Sequence, residues 1–82
     1  MIEFSQHALQ QMEQRSISKD LVLQAIGNPK EKRMLDDYVI FHYIYNENGK
    51  DYLLRIFVNE HVNPNRIITV YRTSKIDKYY ES

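Results

Sequence analysis

Between Gly27 and Lys30 the hydrophobic pattern of this chain changes period, and that change fixes the order of its secondary structure. Before it, apolar residues recur at three- and four-residue steps, the spacing of one helix face. After it they alternate, as they do along a strand that presents two faces. Helices come first, then strands, which is the pattern of an α+β domain rather than of a repeating βαβ chain.

Ser5 is placed to cap a first helix whose stripe is Ala8, Leu9 and Met12, with Phe4 before it as a hydrophobic staple. This helix is expected to stop near Arg15, whose stem packs against the core while its head caps the helix end or meets an acid. Ser18 is a second N-cap, Asp20 sits in a first turn that favours negative charge, and Leu21, Val22, Ala25 and Ile26 form the stripe. Gly27-Asn28-Pro29 ends it. Lys30 to Leu35 reads as a polar edge strand defended by lysine, and Asp36-Asp37 turns it into a strand over Tyr38 to Asn46. In that second strand Tyr38, Ile40, His42 and Ile44 share one face and Val39, Phe41, Tyr43 and Tyr45 the other. Asn48-Gly49 is a type I′ turn signal leading into Asp51 to Asn59, where Arg55 interrupts an otherwise apolar face with Leu53 and Phe57. A loop over Asn59 to Asn65 precedes Arg66 to Thr73, in which Ile67, Thr69 and Tyr71 alternate with Ile68, Val70 and Arg72. Ser74 to Ser82 is basic and aromatic and reads as a short terminal turn or helix. The expected architecture is two N-terminal helices on one face of a three- to four-stranded antiparallel sheet, with the opposite face open as a binding surface or half of a dimer interface.

At 82 residues there is room for one core, so residues 1–82 read as one domain. The absence of cysteine excludes a disulfide framework and any thiolate metal site, and favours a reducing, cytoplasmic address. No uncharged stretch approaches the roughly 20 residues that span a bilayer, so no membrane partner is expected. Eleven basic and eleven acidic residues cancel, which leaves no long-range field to draw in a polyanion; a nucleic-acid site would have to be a local patch. Seven tyrosines against three phenylalanines suit edges and interfaces, where a ring is buried and its hydroxyl stays wet.

Three stretches carry a resemblance. Phe4-Ser5-Gln6-His7-Ala8, continuing through Met12 and Arg15-Ser16-Ile17, is similar to the opening of a family of domains of unknown function. Tyr52-Leu53-Leu54-Arg55, and Thr69-Val70-Tyr71-Arg72-Thr73-Ser74-Lys75-Ile76, are similar to its close. That family resembles in turn the RelE/ParE superfamily of toxin–antitoxin toxins, whose fold is two helices on a small curved antiparallel sheet. The resemblance implies a metal-independent endoribonuclease acting on mRNA, commonly at the ribosome, with a cognate antitoxin as protein partner. The functional residues it implies are basic and aromatic side chains of the sheet face and C-terminal segment: Arg55, Tyr71, Arg72, Lys75, Lys78 and Tyr79. The neutral charge of this chain departs from the strongly basic character of many such toxins. Two other readings stand beside it, a non-catalytic module that binds a protein or a second copy of itself, and a ParE-like inhibitor of a topoisomerase.

Cleavage of RNA without a metal needs the 2′-hydroxyl in line with its phosphate, a base, an acid and cations for the phosphate charge. Arg55 and Arg72 present planar forks suited to phosphate, with Lys75 beside them; alternatively Arg55 pairs with Glu60 or another acid and lies along the sheet, and Arg72 and Lys75 form a solvated basic end. Tyr71 either stacks on a base or donates a proton, or is an ordinary strand tyrosine. Of the three histidines His7, His42 and His61, His7 lies within the similar stretch; in the first turn of a helix it is either a neutral base or a residue that fixes the helix to the sheet. Dispersed histidines without paired carboxylates predict neither a metal site nor a cofactor.

Overall fold

The structure is a computed structural model and describes residues 2–79. In chain order it contains β1 (Ile2–Phe4), α1 (Gln6–Gln14), α2 (Lys19–Gly27), β2 (Glu31–Leu35), β3 (Tyr38–Glu47), β4 (Lys50–Asn59), β5 (Asn65–Thr73) and α3 (Ile76–Tyr79). The five strands form one sheet in the order β1-β5-β4-β3-β2. β2 through β5 are antiparallel neighbours, whereas β1 runs parallel to β5 through Ile2, Glu3 and Phe4 opposite Asn65, Arg66 and Ile67. The sheet is therefore mixed and has five strands, where the period-two segments predicted three or four antiparallel ones. The extra strand is only three residues long, too short for an alternation to register, and it holds Phe4 as a strand residue against the core.

The helices form where their caps direct. The Ser5 side chain accepts the Ala8 N–H at 3.0 Å and the Ser18 side chain the Leu21 N–H at 3.1 Å, each satisfying a donor that the first turn leaves unpaired. Ser16, at φ 55°, turns the chain between the helices and lets Ile17 reach the core. One core lies between helices and sheet: Ala8, Met12, Val22 and Ala25 from the helices pack with Val39, Phe41, Leu54, Ile56, Val58, Ile67 and Val70 from the strands. Leu9, expected on this stripe, is 37% exposed, and Arg15 is an exposed residue at the C-cap of α1, where its backbone N–H donates to the Gln11 carbonyl.

β5 departs from simple alternation. Phe57 faces Thr69 and Val58 faces Ile67, so Ile68 is an extra residue and Ile67 turns into the helix-side core along with Val70. Ser5 grips this bulge, its N–H donating to the Ile67 carbonyl at 2.9 Å and its hydroxyl to the Ile68 carbonyl at 3.3 Å. Beyond the end of β1, Gln11 of α1 takes over the edge of β5 by accepting the Val70 N–H at 3.0 Å. The other face of the sheet is not bare, contrary to expectation. Ile40, His42 and Leu53 are at most 1% exposed there, and α3 brings Tyr79 against Arg55. Tyr80, Glu81 and Ser82, the rest of the expected terminal segment, lie outside the described residues.

Candidate functional site

Arg55 occupies the middle of a row that crosses four strands. Glu31 of β2 stands opposite His42 of β3, His42 opposite Arg55 of β4, and Arg55 opposite Tyr71 of β5. Directly paired residues share a face, so all four project from the side away from α1 and α2. Glu31 Oε1 lies 3.0 Å from His42 Nδ1, Arg55 Nε donates to His42 Nε2 at 3.2 Å, and Arg55 Nη1 donates to the Tyr71 hydroxyl. The carboxylate reaches the guanidinium only through the imidazole.

The protonation pattern follows from the donors. A guanidinium has no acceptor, so His42 Nε2 must offer a lone pair, and the ring proton then sits on Nδ1 and is donated to Glu31. This is a neutral imidazole. Burial lowers its pKa from the usual 6.5, and the nearby positive charge of Arg55 acts in the same direction, outweighing the opposite pull of Glu31. At Glu31, desolvation pushes the carboxyl up, but hydrogen bonds from His42 and Arg33 together prevail and hold it below the ordinary value.

Arg55 is also enclosed by rings. Its guanidinium carbon lies 5.3 Å from the ring centroids of Phe57 and Tyr71 and 4.5 Å from that of Tyr79. These contacts hold a delocalised cation without neutralising it. Among the described residues Arg55 Nη2 makes no hydrogen bond, and the Tyr71 hydroxyl, having accepted from Nη1, keeps its own proton to donate. The group thus offers two donors and a retained positive charge on a half-buried surface, the chemistry of an oxyanion site.

The residues expected to share a site do not all meet. Arg55, Tyr71 and Tyr79 come together, and Lys78 joins them with its ammonium 5.3 Å from the Tyr79 ring. Lys75 and Lys78 line a cleft of about 440 Å³ with Lys50, Asp51 and Asp77 at the β3–β4 turn. Arg72 projects from the opposite face, where it stands opposite Leu54 and donates to the Tyr45 hydroxyl at 3.2 Å and to Glu47. Those two hydrogen bonds, both made by Nη1, raise its pKa further, and its guanidinium carbon lies 4.5 Å from the centroid of the Tyr52 ring. His7 is exposed on α1, in the helical layer on the far side of the sheet from Arg55. Glu60, the alternative partner of Arg55, pairs with Lys32 at 3.8 Å instead.

Sequence reasoning passed over Glu31, His42 and Phe57. The first two were within reach: His42 and Arg55 are equidistant from the two-residue Asn48-Gly49 turn, and Glu31 and His42 from Asp36-Asp37, so the turns alone align the row.

Neither the curated proteins nor the solved structures provide a significant match to this chain. One family profile does match, over residues 4–72, and so takes in the whole row from Glu31 to Tyr71 together with α1 and α2, but not α3. On that match the chain belongs to the domain-of-unknown-function family DUF4258.

Proposed function

We propose that this chain is a metal-independent endoribonuclease of the RelE/ParE-like toxin type, acting on mRNA in the cytoplasm and restrained by a cognate antitoxin. The observation that carries the reading is the setting of Arg55: half-buried, fixed by His42 and Tyr71, and with no hydrogen bond made by Nη2 among the described residues. In this reading Arg55 holds the non-bridging oxygens of a phosphodiester, where a preorganised cation stabilises charge that grows in the transition state. The 2′-hydroxyl attacks the adjacent phosphorus and releases its proton to water. The bond to the 5′-oxygen breaks, and Tyr71 protonates that leaving oxygen, leaving a 2′,3′-cyclic phosphate and a 5′-hydroxyl; water then returns a proton to Tyr71. Lys75, Lys78 and Tyr79 bind the flanking chain from the C-terminal segment. Arg72 and His7, on the other side of the sheet, take no part in this reaction.

The test is incubation of purified protein with mRNA, free and on translating ribosomes, in chelator. Cleavage that Arg55→Ala abolishes while Arg72→Ala retains it supports the reading. Intact RNA in both settings overturns it.

A second reading, a non-catalytic protein-binding or dimerising module, draws on a different surface. Met34, Leu35, Tyr38 and Val62 are 69, 47, 42 and 39% exposed, and Met34 and Tyr38 line a hollow of about 250 Å³ with Glu60 and His61. Apolar side chains concentrated at one sheet edge suit a protein contact. A dimer in solution that Met34→Asp dissociates would favour this reading.

A further inference from the structure

We infer that Glu31 and His42 are positioning residues for anion binding at Arg55, the carboxylate orienting the imidazole and the imidazole fixing the guanidinium so that Nη2 and the Tyr71 hydroxyl present one paired donor site. The inference rests on the function proposed above and adds how that site is held and what controls it.

The geometry leaves little freedom. His42 has no exposed surface, so it cannot touch a phosphodiester itself; whatever it contributes passes through Arg55. Arg55 Nε has an acceptor only while His42 Nε2 carries a lone pair, and that tautomer is maintained by Nδ1–H donating to Glu31 at 3.0 Å. An arginine on a strand otherwise has four side-chain torsions to immobilise on binding, and fixing it beforehand removes that cost. Among the described residues, the charged groups that face His42 are Glu31 and Arg33 of β2 and Arg55 of β4, with Tyr71 of β5 and Tyr79 of α3 in contact with Arg55. Of these only Glu31 is negative. Protonating His42 converts Nε2 from acceptor to donor and sets two like charges 3.2 Å apart, so the guanidinium must move away. Anion binding at this site is accordingly lost as the pH falls and His42 takes up a proton, in the direction that its lowered pKa extends toward acid.

Two measurements on the full chain test this. The first needs no RNA: in the ¹H–¹⁵N NMR spectrum the Arg55 Nε–H signal is protected from exchange near neutral pH; it moves toward the position of a free arginine on acidification, and at neutral pH it broadens by exchange in Glu31→Leu and His42→Leu. Glu31→Leu changes a part-exposed edge residue and keeps the test available if the buried His42→Leu does not fold. An Arg55 signal in Glu31→Leu as protected as in wild type overturns the inference. The second is binding of a single-stranded oligoribonucleotide, which Glu31→Leu or His42→Leu weakens by about tenfold at neutral pH, the equivalent of one lost hydrogen bond near a charge. His42→Gln, whose amide oxygen can accept from Arg55 but cannot titrate, retains binding and loses its acid dependence. If wild type binds RNA but His42→Gln keeps the acid dependence, the inference fails while the proposed function stands. If no RNA binds and the NMR behaviour is as described, the function fails and the positioning stands.

Discussion

Tyr71 and Arg72 are neighbours in β5, and that single step sends them to opposite faces of the sheet: Tyr71 accepts from Arg55 in the aromatic enclosure, while Arg72 turns to Tyr45 and Glu47 beside the helical layer. The two arginines of the conspicuous C-terminal stretches therefore have different surroundings, and their substitutions should have different effects. Arg72→Ala is expected to lower stability by about 1 kcal/mol or less, since an outer ion pair contributes little, and to leave oligoribonucleotide affinity within about twofold. Arg55→Ala should reduce that affinity by about tenfold or more, because a guanidinium that meets a phosphate contributes a charge-assisted hydrogen bond. Titration of a labelled oligoribonucleotide with each variant compares them directly, and equal losses would mean that the two residues share a ligand after all.

Stability should depend on pH through His42. Its folded pKa lies below the usual 6.5, so the unfolded chain binds the proton more readily than the folded one does. The stabilisation is complete above the unfolded value and is lost as pH falls toward and through the folded one. Urea unfolding followed between about pH 8 and pH 5 should show a decline on the acid side of about pH 6.5, and the decline should shrink in His42→Gln. A curve that is flat in wild type over that interval would contradict a neutral buried His42.

How far the sequence anticipates this structure can be argued residue by residue. Ser5 and Ser18 cap the helices as the sequence predicts, and the alternation of Tyr38 to Asn46 puts His42 and Tyr43 on the expected faces, because capping and strand pleat are local properties. Ile67 breaks its own alternation because a bulge depends on what β5 meets across the ladder, which no single segment encodes. β1 stayed hidden for a related reason, since its partner lies at Asn65 to Ile67, the far end of the chain. At the candidate site the sequence singles out Arg55 and Tyr71 but groups Arg72 with them; the alternation along β5 already sets Arg72 on the other face from Tyr71, and counting outward from the two tight turns would have added Glu31 and His42.

Ser5 joins three elements at once. Its side chain accepts from Ala8 and donates to the Ile68 carbonyl, and its N–H donates to Ile67. Ser5→Ala removes both side-chain bonds and leaves the backbone one. The expected loss is about 1 to 2 kcal/mol, the upper part of the range for an N-cap, because the bulge carbonyl also loses its partner. Denaturant unfolding gives the value, and Ser5→Asn, which can still cap the helix, should recover most of it.

The turn that aligns His42 with Arg55 depends on Asn48 and Gly49, at φ 55° and 80°. Positive φ at both central residues is the requirement of a type I′ turn, and it carries the right-handed twist of β3 and β4 through the hairpin. Asn46 adds to it by accepting the Gly49 N–H at 3.3 Å while its amide donates to Asp51 at 3.0 Å. A methyl group at position 49 would meet no atom within 4 Å, so any penalty from Gly49→Ala is conformational rather than steric. The expected cost is about 1 kcal/mol, since alanine must be held at a φ that glycine adopts freely. The pairing from Val39 to Glu47 with Val58 to Lys50 is long enough to keep its register at that cost, so the Arg55 Nε–H signal should survive in this variant even as the melting temperature falls. Loss of that signal with the fold intact would mean that the turn, and not the ladder, sets which residue of β4 faces His42.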